Sequence, residues 1–469
     1  MRFKLTFINS MKKHPVKFWL TFWLISILLL AGWYFYWQVK NKGLETLNPI
    51  IAVLPISEQL KKELKATAFL ADYALQNDNI ERTYLILYQN NLEIRPGGGY
   101  IGSFGIVKVK NGSATKVETH DLSNFDGRIP DIYEPPYPLK ETLKIKSWKM
   151  RDSNFSPDFP TNAEKAEFFY HQGQGQENFD GVIGITANVL TTMLKITGPV
   201  EVEGYPGKFD SENAIVALEY QVEKGFEEQG LERGERKSIM NEIAKEIIKR
   251  ISKLSLSQKI DVFKALMSDL NKKDIQIFFK DGNIQNEIKR IGWSGKVDQN
   301  WKGDYLMLVD ANLGALKSDY YVKRSMEYSA DLTGEKPKAF LKITYNHTAK
   351  QKDFMTKNYL SYLRVYVPEG TWLESSKNFD GVRFGNEFGK KYFGAIVKVP
   401  LGTEKTVELE YNLLKGISDF YDLKIQKQAG INDMPVKITI LDKDGKKEYN
   451  ESLDSDVILS ELKNKIRLK

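Results

Sequence analysis

The 469-residue chain contains no cysteine, so disulfide frameworks, thiolate metal centres and cysteine nucleophiles are excluded at the outset. Histidine is nearly as scarce. Its four copies, at 14, 120, 171 and 347, lie too far apart to suggest a histidine-built zinc site. There is no G-K-S/T phosphate loop, no G-x-G-x-x-G opening a helix and no G-x-S-x-G nucleophile elbow. Low-complexity tracts and tandem repeats are also missing. Neither charge sign dominates, since 68 basic side chains face 61 acidic ones for a net +7, and this balance is not that of a nucleic-acid binder.

One long apolar run is present. Phe18 to Val39 carries no formal charge and as a helix would extend roughly 33 Å at about 1.5 Å per residue, enough to cross a bilayer core. Arg2, Lys4, Lys12, Lys13 and Lys17 precede it, whereas only Lys40 and Lys42 follow closely, which predicts a cytoplasmic N-terminus and an extracytoplasmic remainder. No small-x-small cleavage pattern follows, so the expected device is an uncleaved signal anchor in a cell membrane.

The expected order is a cytoplasmic 1–17, an anchor at 18–39, a helical stalk at 40–80, an α/β domain at 81–300, a β-sandwich at 301–453 and a tail at 454–469 that is helical or irregular. Tyr84 to Tyr88 reads as a strand buried on both faces. After a polar break and the triglycine Gly97 to Gly99, Ile106 to Lys110 and Ala114 to Asp121 alternate around Asn111-Gly112, a hairpin signal. The proline-dense Ile129 to Pro138 predicts an ordered loop or lid over the sheet rim. Thr161 and Glu164 have capping-box spacing, and Phe179 to Val202 reads as strand, helix capped by Thr186, then strand. Asp210 to Gln229 and Arg233 to Leu254 read as helices. From about Asp304 the apolar period falls to 2, as in an antiparallel immunoglobulin-like sandwich, with Ile291 to Asn300 as linker.

Candidate site residues cluster around the triglycine. Backbone N–H groups of Gly97, Gly98 and Gly99 could cradle a phosphate, or the turn could simply be tight. Arg95, Arg128, Arg151, Arg233 and Arg236 are the guanidinium groups suited to phosphate, although any single one is more commonly a solvated charge. Asp121, Asp126, Asp152 and Asp158 are carboxylates of the kind that bind Mg2+, with Asp121 and Asp152 the preferred pair. His120 beside Asp121 is a candidate base, set against a structural role at a strand end.

The stretches QNNLEIRPGGGYIGSFG, RDSNFSPDFPTNA, FDGVIGITANVLTTMLKITGPVEV and DYLMLVDANLGALKSDYYV resemble a widespread bacterial membrane-anchored family, domain-of-unknown-function family 4012. More distantly the layout resembles the LytR-CpsA-Psr phosphotransferases, which move glycopolymers from polyprenyl-diphosphate carriers to the cell wall. That likeness implies an α/β/α sandwich binding a polyprenyl-phosphate-linked glycan, with Val200 in the turn of the strand-helix-strand unit, Arg233 and Arg236 as its spaced arginines and Asp121 as its acidic residue. Thr119 and His120 stand where that family has proline and arginine, and Tyr100 to Ser103 replaces an expected Arg-x-Asp. The competing expectation is a non-catalytic surface scaffold or adhesion protein acting through the sandwich, with an envelope protein as partner.

Overall fold

The computed structural model describes residues 43–230, 236–417, 421–460 and 467–468. The expected anchor at 18–39 and Arg233 lie outside them, and among the described residues no helix is long and apolar enough to cross a membrane. The chain divides into two units, Met1–Gln76 and Asn77–Lys469. In the first, helix α1 (Glu58–Leu75) begins where the Ser57 hydroxyl accepts from Leu60 N at 3.2 Å. Asp72 of that helix accepts from the amides of Leu44 and Glu45, closing the turn before it.

The second unit begins with a mixed five-stranded sheet in the order β3-β2-β1-β4-β5: β1 Glu81–Asn90, β2 Tyr100–Lys110, β3 Ser113–Asp121, β4 Gly181–Thr186 and β5 Ile275–Phe279. Only β1 and β4 pair in parallel. The hairpin between β2 and β3 turns at Asn111 and Gly112 with φ of 51° and 71°, the left-handed pair its sequence promised. Helix α2 (Phe159–Gln172) lays Phe159, Ala163, Ala166 and Phe169 against Leu85, Leu87 and Phe104 of the sheet. The proline-dense loop is ordered beside it, with Tyr133 edge-on to Phe168 and Phe169. Helices α3 (Asn188–Thr197), α4 (Ser238–Lys253) and α5 (Leu256–Asn271) enclose a separate core built on Leu194, Ile239, Ile243 and Val262, and α6 (Gly282–Ile291) follows β5.

Several local expectations are corrected. Helix α2 is capped by Asp158, which accepts from Thr161 N and Oγ1, so Thr161 is inside the helix rather than its cap. Thr186 does not cap α3, because its hydroxyl donates to Asp274 Oδ1 at 2.8 Å instead. Val200 to Val202 forms a single antiparallel bridge, Val200 to Phe209, and no strand. The segment 291–300 is packed rather than a loose linker, since Trp293 and Val297 are buried and Val297 N donates to Asp158 Oδ1 at 2.9 Å.

The C-terminal half holds two sheets around one core. The first has the order β10-β13-β8-β7-β15-β16: Trp372–Lys377, Glu404–Asn412, Lys338–His347, Val322–Asp331, Pro435–Asp442 and Gly445–Ser452. The second has the order β11-β12-β9-β6-β14-β17-β18: Arg383–Glu387, Lys390–Val399, Tyr359–Pro368, Asp304–Val309, Asp422–Ile425, Val457–Ser460 and Arg467–Leu468. Inward residues of both, among them Leu306, Val365 and Phe393 against Tyr328, Ile343 and Leu409, form one apolar layer. The sheets are mixed, not purely antiparallel, because β7 with β15 and β6 with β14 run parallel. The tail supplies β17 within 454–469, where a helix or irregular tail was expected.

Candidate functional site

Strand β1 ends at Asn90, and the chain then makes the turn that carries most of the expected site. Arg95 is 2% exposed, and its guanidinium is fully engaged within the protein. Its Nε donates to Asp152 Oδ1 at 3.1 Å, Nη2 to Glu93 Oε1 at 3.1 Å and Nη1 to the Asn312 carbonyl at 2.8 Å. A phosphate would have to displace these partners at a buried position. Arg95, expected as a phosphate ligand, here joins the α/β domain to the sandwich through these partners. The Gln428 amide reinforces the join by donating to the carbonyls of Arg95 and Asp310.

The triglycine serves the same join. Gly97 N donates to Asn154 O at 3.0 Å and Gly98 N to Arg95 O at 2.9 Å, so two of the three amides expected to hold phosphate are already used. A Cβ on Gly97 would stand 2.3 Å from Asn162 Nδ2, and one on Gly99 would stand 2.5 Å from the Asn90 backbone. Gly430 of the sandwich comes so close that its own Cβ would lie 1.9 Å from Gly98 O. Close packing of backbone on backbone is what makes this turn glycine.

His120 and Asp121 are neighbours in β3 and so face opposite sides of the sheet. His120 stacks on core Phe104 at 4.8 Å, and its Nε2 lies 3.7 Å from Glu118. Asp121 Oδ1 accepts from Lys237 Nζ at 2.9 Å and from Ser123 N at 2.8 Å. Burial works against the Asp121 carboxylate, but Lys237 outweighs it and holds the group below the usual aspartate range. The pair cannot act as a coupled base.

Asp152 is 3% exposed and its carboxylate is held by Arg95. Asp126 is held by Arg151 Nε at 2.5 Å, and Asp158 caps α2. Among the described residues no group of three or more His, Asp or Glu side chains could hold a metal ion. With Asp121 and Asp152 each tied to a cation, the pair does not fit Mg2+ as an oxygen-ligand set.

Arg236 lies 3.6 Å from Glu223, and Lys317 Nζ donates to Glu223 at 2.9 Å while lying 3.5 Å from Glu219. Arg128 is exposed over the Phe125 ring. Burial pushes the Tyr100 phenol, beside Arg95 and Arg151, up to about 12. The rim thus gathers Arg95, Arg151, Arg236, Lys237 and Lys317, but sets Glu93, Asp121, Asp126, Asp152, Glu219 and Glu223 among them.

A cleft of about 410 Å³ lies elsewhere, at the junction of α2 and its preceding loops with strands β9, β11 and β12. That volume falls in the roughly 300–1,000 Å³ range of small-molecule sites. Trp148, Phe155, Tyr137, Tyr362, Phe384 and Tyr392 supply aromatic wall, and Ser153, Ser156, Thr161 and Asn162 a polar edge. Lys165 sits 4.9 Å from the Trp148 ring centroid and Arg383 sits 3.6 Å from that of Tyr137. Arg364 is 5% exposed, donating from Nη2 to Phe155 O at 2.9 Å and from Nη1 to Glu387 at 3.5 Å. Its Nε and the Ser153 hydroxyl are buried with no hydrogen-bond partner among the described residues. The stretch RDSNFSPDFPTNA supplies part of this lining, but nothing in the sequence pointed to residues 362–392.

The fold and these sites define a class: a mixed α/β domain joined through a buried polar seam to a two-sheet β domain. Residues 79–222, which contain β1 to β4, match the family described as "Protein of unknown function (DUF4012)". None of the curated proteins matches the chain. Solved structures with similarity include a Streptococcus agalactiae structural-genomics protein, at 14% identity and TM-score 0.30, covering 46% of this chain and 75% of its own. A Listeria innocua structural-genomics protein has 11% identity and TM-score 0.26, covering 46% of this chain and 80% of its own.

Proposed function

We propose that the chain is a single-pass cell-envelope protein whose extracytoplasmic bulk is a non-catalytic binding scaffold. In its finer form the proposal takes the α/β domain as an α/β/α sandwich of LytR-CpsA-Psr type and the C-terminal half as immunoglobulin-like. The anchor comes from the charge-free run Phe18 to Val39 and the lysines before it. The observation that carries the scaffold reading is the neutralised rim. Among the described residues Arg95, Arg151, Arg236 and Lys237 are each hydrogen-bonded or ion-paired to a carboxylate, and Arg95 is buried in the seam. An envelope protein or a cell-wall glycan is the partner class of such a scaffold.

A second reading, transfer from a polyprenyl-phosphate carrier, is favoured by one observation. Asp121, Lys237, Arg236, Glu223 and Lys317 form one run of charge, which Lys317 continues to Glu93 and Arg95. Mass spectrometry of lipid co-purifying with detergent-extracted full-length protein separates the two. The scaffold reading expects no stoichiometric polyprenyl phosphate. A bound lipid that disappears on Arg233→Ala with Arg236→Ala would replace it with the carrier reading.

A further inference from the structure

We propose that the cleft between α2 and strands β9, β11 and β12 binds an acidic saccharide, a pyranose ring carrying a carboxylate or phosphate. The site stands whether or not the chain is anchored and whatever the rim holds.

Three features converge. The first is charge. Lys165, Arg364 and Arg383 line the cleft against a single carboxylate, Glu387, which is already engaged by Arg364 and by the Tyr366 hydroxyl at 2.8 Å. Neither Lys165 nor Arg383 has a carboxylate within ion-pair distance among the described residues; both rest on aromatic faces. This is the reverse of the rim, and an anion entering the cleft meets cations without displacing internal partners.

The second is the mixture of surfaces. Phe384 lines the cleft while 56% exposed, with Phe393 edge-on to its ring and Lys391 5.8 Å from its centroid, and Tyr392 also lines the wall. A pyranose has an apolar C–H face that packs on such rings and a rim of hydroxyls that needs partners. A purely apolar anion would leave the hydroxyl and amide edge of Ser156, Thr161 and Asn162 without matching groups.

The third is the pair of unmet donors. Buried polar groups without partners are rare in native folds, yet Ser153 Oγ and Arg364 Nε, both in residues lining this cleft, are such groups. Both atoms are closed off from the cleft in this structure, so a sugar oxygen becomes their acceptor only with a shift of the Ser153 or Arg364 side chain.

The test is isothermal titration of full-length protein in detergent with four probes: glucuronic acid, glucose 1-phosphate, glucose and inorganic phosphate. At least one acidic sugar should bind about tenfold or more tightly than either glucose or inorganic phosphate, since both the charge and the ring contribute. Which of the two acidic sugars is tighter assigns the anion. Lys165→Gln with Arg383→Gln should weaken that binding at least about tenfold, because both lost groups are charge-assisted donors. Arg236→Gln, at the rim, should leave it unchanged. Absence of binding by either acidic sugar, equal binding of glucose, equal binding of inorganic phosphate, or affinity retained in the double variant would each overturn the proposal. Both substituted residues lie at the protein surface, so an unchanged melting transition checks that the double variant is folded.

Discussion

The rim at the triglycine and the cleft beside α2 use the same side chains to opposite ends. At the rim Arg95, Arg151, Arg236, Lys237 and Lys317 are each answered by a carboxylate, and the most buried of them, Arg95, links Asp152, Glu93 and the Asn312 carbonyl into the seam. In the cleft Lys165 and Arg383 lean on aromatic rings and Arg364 keeps an unused donor. A concentration of arginine and glycine in a sequence thus marks a place where chain segments meet as readily as a place where a ligand binds. What separates the two is whether the charges are already satisfied.

That contrast can be broken in several ways. The largest effect is expected from Arg95→Ala, which strands buried Asp152 and Glu93 without their cation. Breaking one side of a buried pair costs about 3–5 kcal/mol, measured as a lower denaturation midpoint with an unchanged slope. Gly430→Ala comes next. It puts a methyl 1.9 Å from Gly98 O at a φ of +77°, and overpacking of this kind costs about 1–3 kcal/mol before backbone strain. Normal stability in either variant would mean the seam does not hold the two halves together. Removing the rim's outer cation by Arg236→Gln should change stability by only about 0–1 kcal/mol, as for a partly exposed pair. Lys165→Gln or Arg383→Gln should fall within about 0.5 kcal/mol, leaving any loss of ligand binding free of a folding explanation.

A control outside both regions has a definite pH signature. Asp269 in α5 is buried, and burial pushes its carboxyl up to about 6, against a hydrogen bond from Thr192. A folded-state value above the unfolded 3.8 gives a contribution that is full below about 3.8 and is lost as the pH rises through about 6. Asp269→Asn should therefore raise the melting temperature relative to the parent at pH 7.5, with the gain shrinking towards pH 4. A gain that is the same at both values would show that Asp269 does not titrate in this window.

Much of the fold was legible because it follows from local periodicity. The buried run Tyr84 to Tyr88, the Asn111-Gly112 turn and the alternating segments after Asp304 reappear as β1, the β2–β3 hairpin and the sandwich strands. The errors came where a tertiary partner outbid a local one. Asp274 took the Thr186 hydroxyl from its expected cap, and β17 paired with β14 in a stretch expected to be tail or helix. Of the expected site, the concentration of charged groups near the triglycine was legible, whereas their pairing was not. Glu219, Glu223 and Lys317 arrive from distant segments.

The sequence alone determined most of the strands and helices with strong local periodicity, that thiol chemistry is absent and that one charge-free run is long enough to span a bilayer, since each depends on neighbours along the chain. Only the tertiary structure decided which charges remain available. Whether a guanidinium is a ligand site or a rivet depends on carboxylates and carbonyls hundreds of residues away, as Asn312 is to Arg95, and on rings such as Tyr137 that fold beneath Arg383.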